Sequence, residues 1–214
     1  KIIAISTMSK KSLQKIVIFK KKITLIYNPY LEKILKVKKV KKNKLNSFNI
    51  LSIGRLTKQK NFSFLIKIFS KHQKNFKTNK LLIIGEGEEK DKLLKLIKKN
   101  KMEKNIFLLG FKKNVYNYIN SCEAIISVAQ YEDPGFVLIE GAYLKKKIIC
   151  SLVENGPLEM KKNGEFCYFF KFDDEIGFLN SIKNSEENNS MKIINALKYA
   201  KKFSMFSHFK NLKK

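Results

Sequence analysis

Short unbroken apolar runs, most of them closed by glycine or a polar turn, recur along the chain. They are IIAIS (2–6), ITLIY (23–27), FNILSIG (48–54), LLIIGEG (81–87), NIFLLGF (105–111), AIISVA (124–129), KIICSL (147–152) and GEFCYFF (164–170). Each has strand length, and none alternates apolar with polar residues, so both faces of these strands are expected to be covered. Between them lie segments with helical spacing. FSFLIKIFSKHQ places Phe62, Leu65, Ile66 and Phe69 on one stripe, and KDKLLKLIKKN, VYNYINSC and GFVLIEGAYLKK follow. SKKSLQKI precedes them, and FDDEIGFLNSIKN and SMKIINALKYAKKFSMFSHFKNLKK close the chain as helices. Strands alternating with helices predict an α/β fold with a doubly wound parallel sheet, whose ligands bind at the carboxyl ends of the strands. Asn28-Pro29 and Gly156-Pro157-Leu158-Glu159 read as turns, and the lysine-rich stretch 32–47 reads as a connection.

Composition changes this picture little. No apolar stretch approaches the 18 residues a membrane-spanning helix needs. The net charge is +27, but it comes from 44 Lys and a single Arg. Lys, Ile and Asn together make up 90 of 214 residues. All three have AT-rich codons, so the excess reads as base-composition bias. A dedicated nucleic-acid binder would use arginine forks, and no specific nucleic-acid partner is expected. An anionic membrane surface stays open as a peripheral contact. Three widely spaced cysteines, Cys122, Cys150 and Cys167, give neither metal spacing nor a disulfide framework, and they fit a reduced, cytoplasmic compartment. His72 and His208 read as surface residues, so no histidine-based site is expected.

Two constellations carry chemistry. The first is Gly54-Arg55, followed five residues later by Lys60. The strand-end glycine permits a tight turn, and the two cations can converge on one anion. Arg55 stands out as the only arginine. The second is Glu132-Asp-Pro-Gly-Phe-Val-Leu-Ile-Glu140. Pro134 falls near the first helical turn, and Gly135 allows close backbone approach. The N–H groups around Gly135 and Phe136 form an anion-binding helix start. Glu132 and Glu140 are placed to accept hydrogen bonds from hydroxyl groups. Dipole complementation accounts for Glu132 and Asp133, but not for Glu140 inside an apolar run. Gly85-Glu86-Gly87-Glu88 reads as a strand–helix turn, and Phe111 as a core aromatic.

Taken in order, SIGRLTKQKNF, LLIIGEG, IFLLGF, YEDPGFVLIEGA, the GP-E turn and the late K-x-F-S segment resemble the retaining GT-B glycosyltransferases of glycosyltransferase family 4, which includes bacterial lipopolysaccharide and capsule transferases. The resemblance covers roughly residues 1–210, and its most specific part is the Glu-x7-Glu motif. It implies a Rossmann-like C-terminal half of a GT-B fold, with the N-terminal domain largely missing. Residues 1–47 would be the remnant and linker, 48–187 the nucleotide-sugar-binding domain, and 188–214 a C-terminal helix packing back toward the N-terminal side. Arg55 and Lys60 would hold the donor diphosphate, Glu132 the donor sugar and Glu140 the ribose. Gly54, Pro134, Gly135 and Phe136 would approach the sugar or phosphates, and Phe111 would sit beside the base. Catalysis would fall to Arg55, Lys60 and Glu132. The donor would be a UDP- or GDP-sugar and the acceptor a glycan or lipid-linked glycan. No metal or other cofactor is expected. Where the family more often has Ala, Gly141 follows Glu140. The rival readings are a nucleotide-binding module without turnover, or an inactive fragment, and a basic nucleic-acid-binding protein.

Overall fold

The computed structural model describes residues 2–16, 22–31, 49–75, 80–162, 166–187 and 190–213. The connection expected at 32–47 lies outside these residues. Two short strands, β1 (Ile2–Ala4) and β2 (Ile23–Leu25), pair in parallel around helix α1 (Thr7–Ile16). The remaining strands are β3 (Asn49–Ile53), β4 (Lys80–Ile84), β5 (Ile106–Leu108), β6 (Ala124–Ser127), β7 (Lys147–Ser151) and β8 (Tyr168–Phe170). They form one six-stranded sheet in the order β5-β4-β3-β6-β7-β8, and every pairing is parallel. The order reverses between β3 and β6. In such sheets that reversal opens a crevice at the carboxyl ends of the two strands.

The helices are α2 (Phe62–Lys71), α3 (Lys90–Lys99), α4 (Val115–Ser121), α5 (Phe136–Tyr143), α6 (Gly156–Lys162), α7 (Glu175–Glu186), α8 (Ser190–Ala200) and α9 (Met205–Leu212). They cover the sheet on both faces, which explains the unbroken apolar runs. Ile50, Leu81, Ile83, Ile126 and Ile149 enter one core with Phe62, Leu65, Phe69, Leu93 and Phe178. Their neighbours Leu51, Ile84, Ile125, Ile148 and Cys150 enter the other with Ile119, Leu138, Ile139, Ala196 and Tyr199. Successive strand residues thus alternate between two cores, as the pleat requires. A side chain such as Phe69, 1% exposed, contributes about 1.5–3 kcal/mol by burial.

Two sequence expectations are corrected. Gly156–Lys162 is a helix rather than a turn. Pro157 lies in its first turn, where the missing N–H would have had no partner. The C-terminal stretch is not one helix. A 3-10 turn over Lys201–Phe203 interrupts it, and Ser204 caps α9 by accepting from the Ser207 N–H.

The N-terminal piece is held by long-range bonds. The Tyr30 and Leu31 N–H groups both donate to the Phe203 carbonyl, at 2.9 and 3.3 Å. The His208 ring Nδ1 lies 2.9 Å from the Tyr27 carbonyl oxygen. Glu159 of α6 accepts from the Thr7 hydroxyl at 2.6 Å and from the Tyr27 phenol.

Candidate functional site

The loops after β3, β4 and β5 are laced into one floor. The Gly54 N–H donates to the Ile84 carbonyl, Leu56 to Glu86 and Gly85 to Gly110, at 2.8–3.1 Å. Gly85 has φ +150°, and a Cβ there would lie 1.8 Å from the Gly54 carbonyl oxygen. No side chain fits, so the glycine is fixed by the close approach. Across the switch point, the Gln130 N–H donates to the Gln59 carbonyl, and Gln59 Nε2 donates to the Tyr131 carbonyl.

Above this floor lies a crevice of about 530 Å³, lined among others by Gly54, Arg55, Gly85, Phe111, Tyr116 and Glu140. That volume falls within the range of small-molecule sites. Arg55 is exposed and makes no ion pair among the described residues. Phe111, read from the sequence as a core aromatic, is 70% exposed and forms part of the crevice wall. Residues 109–111 leave the sheet beyond β5, so the ring has no core to enter.

Lys60 is placed by a 3-10 turn over Lys58–Lys60. Its stem runs over Gly54, and a Cβ on that glycine would meet Lys60 Cε at 3.2 Å. Its ammonium donates to Glu132 Oε1 at 2.7 Å, and the two side chains are 19% and 13% exposed. The Ser127 hydroxyl donates to the same oxygen at 3.1 Å. Arg55 and Lys60 therefore share a strand end, but the lysine is already neutralised by an acid. Glu140, only 4% exposed, lines the crevice from α5. It accepts from the Tyr116 phenol at 2.9 Å, and Tyr30 lines the crevice with it. Burial, then the Glu140 charge, pushes Tyr30 up to about 12, and the same causes raise Tyr116. Both phenols stay donors across the physiological range.

Helix α5 begins at Gly135, whose φ is +79°. No side chain caps its N-terminus, and its first turn holds no acid. Pro134 and Phe136 face the other side of this loop. With Ile5, Ser6, Asn28 and Asp133 they line a second cavity of about 260 Å³ against the N-terminal piece. Burial, then the charge of Glu159, raises the Asp133 carboxyl above its ordinary value. The predicted residues thus divide into three groups. Gly54, Arg55, Phe111 and Glu140 line the main crevice, Lys60 and Glu132 form an ion pair beside it, and Pro134 and Phe136 border the second cavity, with Gly135 between them at the cap of α5. Tyr30, Tyr116 and Ser127 were not singled out from the sequence, and Glu159 was read only as part of the turn at 156–159; it does not line the main crevice. The one available signal was Tyr30 directly after Asn28-Pro29. Among the described residues, no group of three or more His, Cys, Asp or Glu could hold a metal ion, and no helix is long and apolar enough to cross a membrane.

The family of glycosyl transferases group 1 matches residues 34–203. A Campylobacter jejuni protein, N-acetylgalactosamine-N,N'-diacetylbacillosaminyl-diphospho-undecaprenol 4-alpha-N-acetylgalactosaminyltransferase, is 34% identical over 143 residues, which are 67% of this chain and 38% of that protein. A Rickettsia africae glycosyltransferase structure superposes with a TM-score of 0.81 at 21% identity, covering 100% of this chain and 62% of that one. The Anabaena protein HepE, solved with UDP, superposes with a TM-score of 0.80 at 18% identity, covering 99% and 62%. The chain therefore spans between one third and two thirds of the length of each of these proteins.

Proposed function

The chain belongs to the glycosyl transferases group 1 family, and we propose that it is the donor-binding half of a retaining nucleotide-sugar glycosyltransferase of surface-glycan synthesis. The observation that carries this reading is the meeting of Arg55, the Lys60–Glu132 pair and Glu140 around the switch-point crevice. Residues 48–187 form the donor-binding unit in this reading, residues 1–47 join it to an acceptor-binding half, and 188–214 pack back across the join.

The chemistry follows from the charges. Transfer breaks the bond between the anomeric carbon and the diphosphate and leaves negative charge on the leaving oxygen. Arg55, free of any acid among the described residues, supplies a planar fork to that charge. Lys60 supplies a second cation, kept in place by Glu132. The uncapped start of α5 adds N–H donors and a favourable dipole. Glu132 also faces the sugar hydroxyls, Glu140 takes the ribose hydroxyls and Phe111 flanks the base. These groups are prepositioned, so they stabilise developing charge with little reorganisation. With Arg55 and the Glu132-paired Lys60 at the diphosphate, the reading calls for no metal. The donor is a UDP-sugar in this reading, since HepE has been solved with UDP-glucose. The acceptor is lipid-linked, as the name of the Campylobacter relative states for that enzyme. The lysine-rich surface would then lie against the inner face of an anionic membrane.

Isothermal titration of UDP and GDP against wild type and Arg55→Ala tests the proposal. Loss of a charged hydrogen-bonding partner weakens binding by roughly ten- to a hundred-fold. Equal affinity in both proteins rejects the assignment of Arg55, and a wild type that binds neither nucleotide rejects the reading as a whole.

A further inference from the structure

Glu140 is 4% exposed and lines the crevice. A carboxylate so buried needs donors. Two phenols from distant parts of the chain line the crevice with it. Tyr116 comes from α4 and donates to Oε1 at 2.9 Å. Tyr30 comes from the segment after β2, and its ring is stacked on Phe136 with centroids 3.9 Å apart and planes 15° apart. Phe136 is the first residue of the helix that carries Glu140. The stack therefore fixes the Tyr30 ring relative to the helix that carries the carboxylate.

We propose that Tyr30 and Tyr116 are positioning residues that aim Glu140 at the vicinal hydroxyls of a ribose, and that they set the preference of the site for ribonucleotide over 2′-deoxyribonucleotide donors. The proposal rests on the donor-site reading above. A carboxylate accepts about four hydrogen bonds, more than the Tyr116 phenol alone supplies. Held by the Tyr116 donor and flanked by the stacked Tyr30, it has one orientation, and only a ligand with both hydroxyls matches that orientation. Freed from one phenol, the carboxylate can turn and the advantage of the second hydroxyl falls.

The test measures the affinities of UDP, 2′-deoxy-UDP, GDP, 2′-deoxy-GDP and pyrophosphate for wild type, Tyr30→Phe and Tyr116→Phe. Pyrophosphate reports on the phosphate end alone. Wild type should prefer the ribonucleotide by about ten-fold or more. Each variant should lose most of that preference while its pyrophosphate affinity stays unchanged. Near-ultraviolet circular dichroism verifies that each variant is folded. An unchanged preference in both variants overturns the proposal, as does a parallel loss for all ligands, which would mark a purely structural role. A wild type that binds ribo- and deoxyribonucleotides equally overturns it too. If wild type binds no nucleotide, the donor-site reading falls first and this inference falls with it.

Discussion

Glu159 is the natural place to cut the N-terminal piece from the sheet domain. It is 6% exposed on α6. Its Oε2 accepts from the Thr7 hydroxyl at 2.6 Å and more weakly from the Thr7 N–H at 3.3 Å, and its Oε1 takes the Tyr27 phenol. Glu159→Ala removes two good bonds to a charged acceptor. Each is worth about 1.5–3 kcal/mol when a partner is stranded, so the loss is about 3–6 kcal/mol. That loss should fall on the opening of residues 2–16 and 22–31 rather than on the six-stranded sheet. Hydrogen exchange is the assay. Amides of β1, α1 and β2 should exchange about 10²–10⁴-fold faster, at one factor of ten per 1.4 kcal/mol. Those of β3, β4 and β6 should change little. Glu159→Gln keeps the volume and one acceptor, so its effect should be clearly smaller. Unaltered exchange at Thr7 and Tyr27, or an equal acceleration in every strand, would refute the reasoning.

Gly85→Ala should destabilise the protein by about 2–4 kcal/mol in urea unfolding, because its Cβ would strike the Gly54 carbonyl oxygen and its φ is unsuited to alanine. Ser204→Ala removes the cap of α9 and should cost about 0.5–2 kcal/mol, with lost protection confined to residues 205–212. Tyr30 should ionise late in an absorbance titration. Its phenol is raised from 10.0 to about 12, so its contribution to stability is whole below pH 10 and vanishes as pH rises through about 12. Duplex DNA and RNA should bind weakly and without sequence preference in a filter assay, and the binding should disappear between about 50 and 200 mM salt. Tight sequence-selective binding at the higher salt would contradict the base-composition account of the lysine excess.

The sheet was legible because each strand is buried on both faces, and that condition writes itself as an unbroken run such as LLIIG. The Glu132–Glu140 constellation was legible because an acid inside VLIEGA conflicts with its neighbours. What escaped was set by distance along the chain. Thr7 and Glu159 are 152 residues apart, and Tyr116 and Glu140 are 24 apart. No local period records such a closure. Phe111 was misread because a phenylalanine beside an apolar run looks the same whether it enters the core or leaves it. Helix α6 was misread because Gly156-Pro157 is also a turn signal, and only the packing of Met160 into the core separates the two cases. The break at Ser204 was hidden because both flanking segments have helical spacing.

The charge pattern makes a further point. Exposed lysines interact through screened water, and beyond about 10 Å they scarcely feel one another at ordinary salt. Their number therefore says little about the site. Buried carboxylates say more, since each must be offset by specific donors. Glu132, Glu140 and Glu159 all lie between residues 132 and 159, at or beside the carboxyl end of the sheet. Each is held by a group from a distant segment: Lys60 for Glu132, Tyr116 for Glu140, and Thr7 with Tyr27 for Glu159. The first two lie at or beside the main crevice, and the third fastens the piece that borders the second cavity. In a chain with 45 basic residues against 18 acidic ones, these buried and half-buried acids, rather than the cations, organise the surface on which the proposed transfer takes place.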